Sequence, residues 1–129
     1  MKKRFVLFSL LVVILMILSG CHKTIEGRYY IKYEVDITSP YSGNFTYITV
    51  NTDSGEQNFN CSHTFSETFG PVDQNFTARI EVYTKAYQAS ANVRIYVCKG
   101  EEAFVLKKTK TMKDPTDKKP LVVEYKIDF

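Results

Sequence analysis

The chain has 129 residues and a formal net charge of +3, from 17 Lys and Arg against 14 Asp and Glu. Three of the basic residues lie at positions 2–4, so the rest of the chain is balanced and has no global basic surface. Nucleic-acid binding through phosphate neutralisation needs a basic face. The composition therefore argues against a nucleic-acid partner.

The first twenty residues have the pattern of a secretory signal. Three basic residues precede an apolar run at 5–18, which is interrupted by Ser9 alone and followed by small residues. A transmembrane helix is the alternative, but fourteen residues rising 1.5 Å each span roughly 21 Å, short of the ~30 Å hydrocarbon core. Residues 1–20 are therefore predicted to be a signal peptide. The remaining 109 of the 129 residues suffice for one domain.

The signal ends in Leu18-Ser19-Gly20-Cys21, which resembles the lipobox of bacterial lipoproteins. The resemblance implies that lipid is attached to the Cys21 thiol and that a peptidase cuts just before it. Several acyl chains, at about 0.8 kcal/mol per buried CH₂, hold a protein firmly on a membrane. We expect a lipidated tether at 21–27 and a domain at 28–129 in the cell envelope. No acidic run follows Cys21, which favours the periplasmic side if the cell is Gram-negative.

The rest of the chain shows strand-like alternation and no helical period. In the first such segment, Ile31, Tyr33, Val35 and Ile37 alternate with polar residues, which is typical of a half-buried strand. Turn residues at 39–44, 52–55 and 99–101, a break at Gly70-Pro71 and a polar linker at 110–120 separate the segments. The predicted strands are 31–37, 45–51, 57–65, 76–83, 92–98, 103–109 and 121–129.

About seven short strands predict an all-β protein, an antiparallel two-sheet sandwich with its core between the sheets. Of the nine Phe and nine Tyr residues, all but Phe5 and Phe8 follow the predicted signal and are available to fill such a core.

Three segments resemble small periplasmic proteins of the mycobacterial MmpS type and short Bacteroidetes lipoproteins of the same layout. They are Lys32-Tyr33-Glu34-Val35, the aromatic strand followed by Asp53-Ser54-Gly55, and Val93-Arg94-Ile95-Tyr96-Val97 before Gly100. The aromatic Leu-Pro-Trp segment of that family is missing, since this chain has no Trp. The resemblance implies an Ig-like or transthyretin-like sandwich that assists an envelope transporter. It implies no catalytic residue and no cofactor.

Two cysteines remain besides Cys21. Export to an oxidising compartment favours a disulfide between Cys61 and Cys98. The alternatives are two buried thiols, or a soft-metal site formed by Cys61, His63 and Cys98, for which the C-x-H spacing is a weak signal. The strand parity also conflicts with a bond, because Cys61 aligns with the inward Phe59 while Cys98 aligns with the outward Tyr96.

Two further sets are candidates for contact with a partner. Lysines at 107–113 and at 118–119 form either a patch for anionic lipid or an acidic partner, or a solvated loop. Five tyrosines are expected on faces opposite the core, where exposed aromatics commonly mark protein or sugar contacts. They are Tyr29, Tyr30, Tyr83, Tyr87 and Tyr96.

No catalytic motif is present: a nucleophile elbow, a phosphate loop and H-E-x-x-H are all missing from the sequence. The chain is therefore predicted not to be an enzyme and to need no metal or cofactor. The first hypothesis is a membrane-anchored module that docks on another envelope protein. The second is a lipoprotein that captures a carbohydrate or peptide with its tyrosines. A flat tyrosine patch on one sheet favours the first, and a concave site between loops favours the second.

Overall fold

The computed structural model describes residues 28–39, 45–86 and 88–128. The predicted signal and tether, most of the turn at 39–44, Tyr87 and Phe129 lie outside the described residues. These ranges contain eight strands: β1 (Tyr29–Thr38), β2 (Thr46–Thr52), β3 (Gly55–Cys61), β4 (Thr64–Val72), β5 (Thr77–Thr84), β6 (Ser90–Lys99), β7 (Val105–Lys113) and β8 (Leu121–Lys126). Within the described ranges there is no helix that could span a membrane.

The strands form two four-stranded antiparallel sheets, which confirms the predicted all-β two-sheet sandwich. Sheet A has the order β4-β1-β6-β7, and sheet B has the order β3-β2-β5-β8. In sheet A, β1 pairs with β6 along its whole length, from Tyr29 opposite Lys99 to Thr38 opposite Ser90. In sheet B, β2 and β5 are the two central strands.

The core lies between the sheets and consists of alternate residues of the strands, which the sequence pattern predicts for β1, β5 and β6. Successive side chains of a strand point to opposite faces, so a period of two gives each sheet one apolar face. The side chains at these positions are at most 1% exposed: Ile31, Tyr33, Val35, Val93, Ile95 and Val97 from sheet A, and Ile48, Val50, Ile80 and Val82 from sheet B.

The strand count differs from the prediction because the segment 57–65 is not one strand. The chain leaves sheet B after Cys61, passes through Ser62 and His63, and enters sheet A as β4. The predicted break at Gly70-Pro71 lies inside β4, near its end. β4 is an edge strand, where a proline without an N–H is tolerated. Gly70 is required there: its φ is +138°, and a Cβ would lie 2.9 Å from the carbonyl oxygen of Tyr29.

The predicted linker at 110–120 is also partly wrong, because β7 continues to Lys113. Its register against β6 shifts between Ile95 and Tyr96, which is a β-bulge. Lys108 and Lys110 lie opposite the inward residues Ile95 and Val93, yet both lysines are exposed. A bulge and inward-facing lysines on an edge strand hinder pairing with another sheet edge.

The sandwich has two distinct ends. At the hairpin end, β1 begins and the β6–β7 turn lies beside it, with the Gly100 amide donating to the Arg28 carbonyl at 2.9 Å. At the opposite end, the Ile37 amide donates to the His63 carbonyl at 2.7 Å, and the chain enters β2 after Phe45. The ten residues of β1 separate the two ends by about 30 Å at ~3.3 Å per residue.

Candidate functional site

The five predicted tyrosines do not form one patch. Tyr29 is only 2% exposed and belongs to the core, so its predicted exposure was wrong. The reason is parity: Tyr29 is two residues before Ile31 and faces the same way. Tyr30 and Tyr96 lie on the outer face of sheet A, while Tyr83 lies on the outer face of sheet B, and all three are half-buried. Tyr87 lies outside the described residues.

The predicted disulfide between Cys61 and Cys98 is not formed, and both thiols are free. Cys61 ends β3 beside His63, at the opposite end of the sandwich, and packs against the core. Cys98 lies opposite Tyr30 near the hairpin end. The seven residue-to-residue steps from Tyr30 to Ile37 cover roughly 23 Å, whereas a disulfide needs Cα atoms within about 7 Å.

The same separation argues against the soft-metal site of Cys61, His63 and Cys98 that the sequence offered as an alternative. His63 is exposed beside Cys61, but Cys98 is too distant to join them. In the described part of the chain, no three His, Cys, Asp or Glu side chains come together in a way that could hold a metal ion.

The outer face of sheet A carries a paired charge network on its two central strands. Arg94 on β6 donates through Nε to Glu34 at 3.1 Å and through its guanidinium to Asp36, both on β1. Lys32 contacts Glu34 as well, at 3.1 Å. Burial alone would raise the pKa of Glu34, but hydrogen bonds from Lys32 and Tyr96 and the Lys32 charge outweigh it and lower that pKa. Glu34 therefore keeps its charge under mildly acidic conditions.

Aromatic and aliphatic side chains continue this network toward the hairpin end. The Lys32 Nζ lies 4.5 Å from the centre of the Tyr96 ring and 5.3 Å from the centre of the Phe104 ring. Leu106 lies opposite Tyr96 in the β6–β7 pair, so it shares the outer face. The sequence interpretation included Tyr96 but missed Phe104 and Leu106, because it assigned 103–109 as a strand without deciding which way its residues face.

Short polar side chains flank the network on both edge strands. The outward residues of β4 opposite β1 are Thr64, Ser66 and Thr68. On β7, Thr109 lies opposite Arg94, and Thr111 accepts a hydrogen bond from the Asn92 amide at 2.6 Å. The outer face of sheet A thus has aromatic and charged residues at its centre and hydroxyl groups on both edge strands, with the apolar Leu106 on β7 near the hairpin end.

The outer face of sheet B carries a stacked pair of tyrosine rings. The Tyr47 and Tyr83 rings stack with centroids 4.9 Å apart and planes 14° from parallel, and the Lys85 Nζ lies 5.2 Å from the Tyr47 ring centre. Close by, Thr49 donates to the Asn58 amide oxygen at 2.7 Å. Tyr47 was not singled out from the sequence, although its alternation with Ile48 would have placed it on the face that Tyr83 shares.

The predicted basic segment is not one patch. The lysines at 107–113 follow the edge strand β7, whereas Lys118 and Lys119 lie in the connection to β8. That connection is tied to the opposite end of the sandwich, where the Asp114 amide donates to the Ala89 carbonyl at 2.7 Å. No protein-family model, curated protein or solved structure matches this chain.

Proposed function

We propose that this protein is a lipid-anchored module of the cell envelope that docks on another envelope protein through the outer face of sheet A. The anchor is supported by the basic start, the apolar run and the Leu18-Ser19-Gly20-Cys21 box. Cys21 carries the lipid, and the domain faces the periplasm in a Gram-negative cell. The resemblance to MmpS-type proteins points to a transporter as the partner.

The observation that carries the docking proposal is the grouping of Tyr96, Arg94 and Lys32 on one sheet face. Tyr and Arg are the residue types enriched in binding hot spots. Arg94 is already held by Glu34 and Asp36, so little side-chain freedom is lost when a partner covers it. This site lies on the outer surface of a sheet rather than between loops, which fits a protein partner better than a small ligand.

Paired charges on such a face select a partner more than they strengthen its binding. Exposed ion pairs contribute only about 0–1 kcal/mol each, but a complementary charge pattern excludes wrong partners and fixes the register of docking. The partner surface should therefore present both acidic and basic groups, together with an apolar centre that receives Tyr96.

Site-specific photo-crosslinking in the native cell tests this proposal. A benzoylphenylalanine at Thr109, exposed on the outer face of sheet A, should give one adduct with an envelope protein. The matched control is Val122, which lies opposite Glu81 on the outer face of sheet B and should give none. Arg94→Glu should abolish the Thr109 adduct, while Arg94→Lys should retain part of it. Equal adducts at both positions, or none at Thr109, would refute docking through sheet A.

Capture of a carbohydrate or peptide is the second candidate function, and the stacked Tyr47 and Tyr83 favour it. Aromatic rings beside amide and hydroxyl groups, here Asn58 and Thr49, offer both apolar contact and hydrogen bonds to a sugar. Binding of envelope glycans or peptides that is lost in Tyr83→Ala and retained in Tyr96→Ala would favour this function. The reverse dependence would speak against it.

A further inference from the structure

The longest run of exposed apolar side chains in the described ranges lies just after the β6–β7 turn. Phe104, Val105 and Leu106 are 36%, 53% and 46% exposed. They are consecutive, and Val105 lies opposite the inward Val97 while Leu106 lies opposite the outward Tyr96, so the run is exposed and apolar on both faces of the strand. Contiguous exposed apolar groups mark a contact surface for a protein or a membrane.

The position of this run limits what can cover it. The turn that precedes it is bonded to Arg28, the first described residue, through the Gly100 amide. Cys21 lies seven residues before Arg28, and seven extended residues reach at most about 25 Å. A lipid on Cys21 therefore keeps the hairpin end, and with it this run, within a short distance of the bilayer.

The charges around the run suit a lipid surface with anionic headgroups. Lys107 and Lys108 directly follow the run in the sequence. Lys99 begins the turn that precedes the run and Arg28 is bonded to that turn, which also contains the acidic Glu101 and Glu102. Basic side chains that flank an interfacial apolar segment are attracted to anionic headgroups.

We propose that the Phe104-Val105-Leu106 run enters the headgroup region of the same bilayer that holds the lipid on Cys21. The inference rests on the proposed anchor but is independent of the docking partner. Two contacts on one membrane, the acyl chains and the hairpin, fix the orientation of the sandwich. The hairpin end then faces the lipid, and the sheets stand away from it, with the outer face of sheet A turned sideways toward neighbouring proteins.

Tryptophan fluorescence can test this contact because the chain contains no Trp. The probe is Phe104→Trp, and the matched control is Phe45→Trp, a site 60% exposed at the opposite end. The full-length lipoprotein is reconstituted into phosphatidylcholine and phosphatidylglycerol vesicles whose acyl chains carry bromine, a contact quencher. Interfacial apolar groups lie about 5–10 Å deep, so Phe104→Trp should lose about half of its emission while Phe45→Trp keeps its own. Leu106→Trp serves as a second probe and should behave as Phe104→Trp does.

The outcomes separate this inference from the anchor. In one outcome the protein floats with the vesicles, but the fluorescence of Phe104→Trp and Leu106→Trp is not quenched. The anchor is then present, the hairpin does not contact lipid, and the proposed contact is refuted. Equal quenching of Phe104→Trp and Phe45→Trp means that the domain has no fixed orientation, which overturns it as well. Protein that does not float at all overturns the anchor and the contact together.

Discussion

Tyr33 places a hydroxyl group inside the core, between the two sheets. Its side chain is fully buried, and its hydroxyl donates to the Asn51 carbonyl at 2.8 Å, which joins sheet A to sheet B. Burial raises the pKa of Tyr33 well above its ordinary value, because the low-dielectric interior disfavours the phenolate. The folded protein therefore binds this proton more tightly than the unfolded chain does.

Replacing Tyr33 with Phe should lower the free energy of unfolding by about 1–2 kcal/mol near neutral pH, because the Asn51 carbonyl loses its donor. Above about pH 10 the unfolded chain releases the Tyr33 proton while the folded one holds it, so the wild type loses stability as the pH rises. Tyr33→Phe lacks this contribution, so the difference in free energy of unfolding between the wild type and the variant should become smaller as the pH rises. Urea unfolding at neutral and alkaline pH measures it. A gap that is the same at both pH values would contradict the assigned burial.

The two thiols give a second test at the scale of single residues. Burial raises the pKa of Cys61 and of Cys98, so both are held as the less nucleophilic thiol. Protein denatured without reductant should take up an alkyl group on each of them, and the native protein should react much more slowly. Mass spectrometry reads both results. A chain lighter by two hydrogen atoms that resists alkylation after denaturation would show that the disulfide exists after all.

At the scale of elements, the passage from β3 to β4 closes one side of the sandwich with aromatic rings. Phe59 on β3 lies 5.1 Å from Phe65 and 5.9 Å from Phe69, both on β4, measured between ring centroids. Phe69 also lies 6.0 Å from Tyr33. Tilted aromatic pairs at such distances add about 0.5–1.5 kcal/mol each beyond their buried area.

Phe65→Ala should therefore lower the free energy of unfolding by about 3–5 kcal/mol, the usual cost of deleting a buried ring. The matched control is Phe45→Ala, since Phe45 is 60% exposed and Phe65 only 8%. The control should stay within about 0.5 kcal/mol of the wild type. Urea unfolding followed by circular dichroism compares the two, and a similar cost for both variants would contradict the aromatic closure.

The sequence did not predict β4 as a separate strand, for a physical reason. Phe65 and Phe69 are inward residues four positions apart, but Glu67 between them is exposed because β4 is an edge strand. An edge strand breaks the apolar alternation on which the prediction relied, and Gly70-Pro71 resembles a chain break. The central strands β1, β5 and β6 have unbroken alternation, and their inward residues were predicted from sequence over 31–37, 78–82 and 93–97, whereas the inward Tyr29 was not.

The other edge of sheet A, β7, gives a further prediction at the scale of elements. Replacing Lys108 and Lys110 together with Val removes the inward charges that hinder edge-to-edge pairing, so the protein should self-associate. The control on the same strand is the double change of Thr109 and Thr111 to Val, which alters the outer face. Sedimentation velocity should show larger species in the lysine variant than in the threonine variant. Two monomeric variants would mean that the bulge alone protects the edge.

At the scale of the whole molecule, the sequence predicts the architecture better than the contact surface. The sandwich follows from a period of two that is visible in single strands. The prediction that the tyrosines form one contact surface was wrong, because two outward residues share a surface only if their strands belong to the same sheet. Tyr83 and Tyr96 have the same outward parity, yet β5 and β6 belong to different sheets. The pairing of Cys61 with Cys98 was predicted from their number and from an oxidising compartment, although the topology places them at opposite ends.

The proposed lipid on Cys21 decides the compartment, the orientation and the class of partner proposed for this protein. Metabolic labelling with palmitate tests it most directly, with Cys61→Ala as the control that keeps Cys21. Label is expected in the wild type and in Cys61→Ala, and none in Cys21→Ala, which should also remain uncut at its signal. Wild-type labelling of Cys21→Ala, or no label in the wild type, would contradict it.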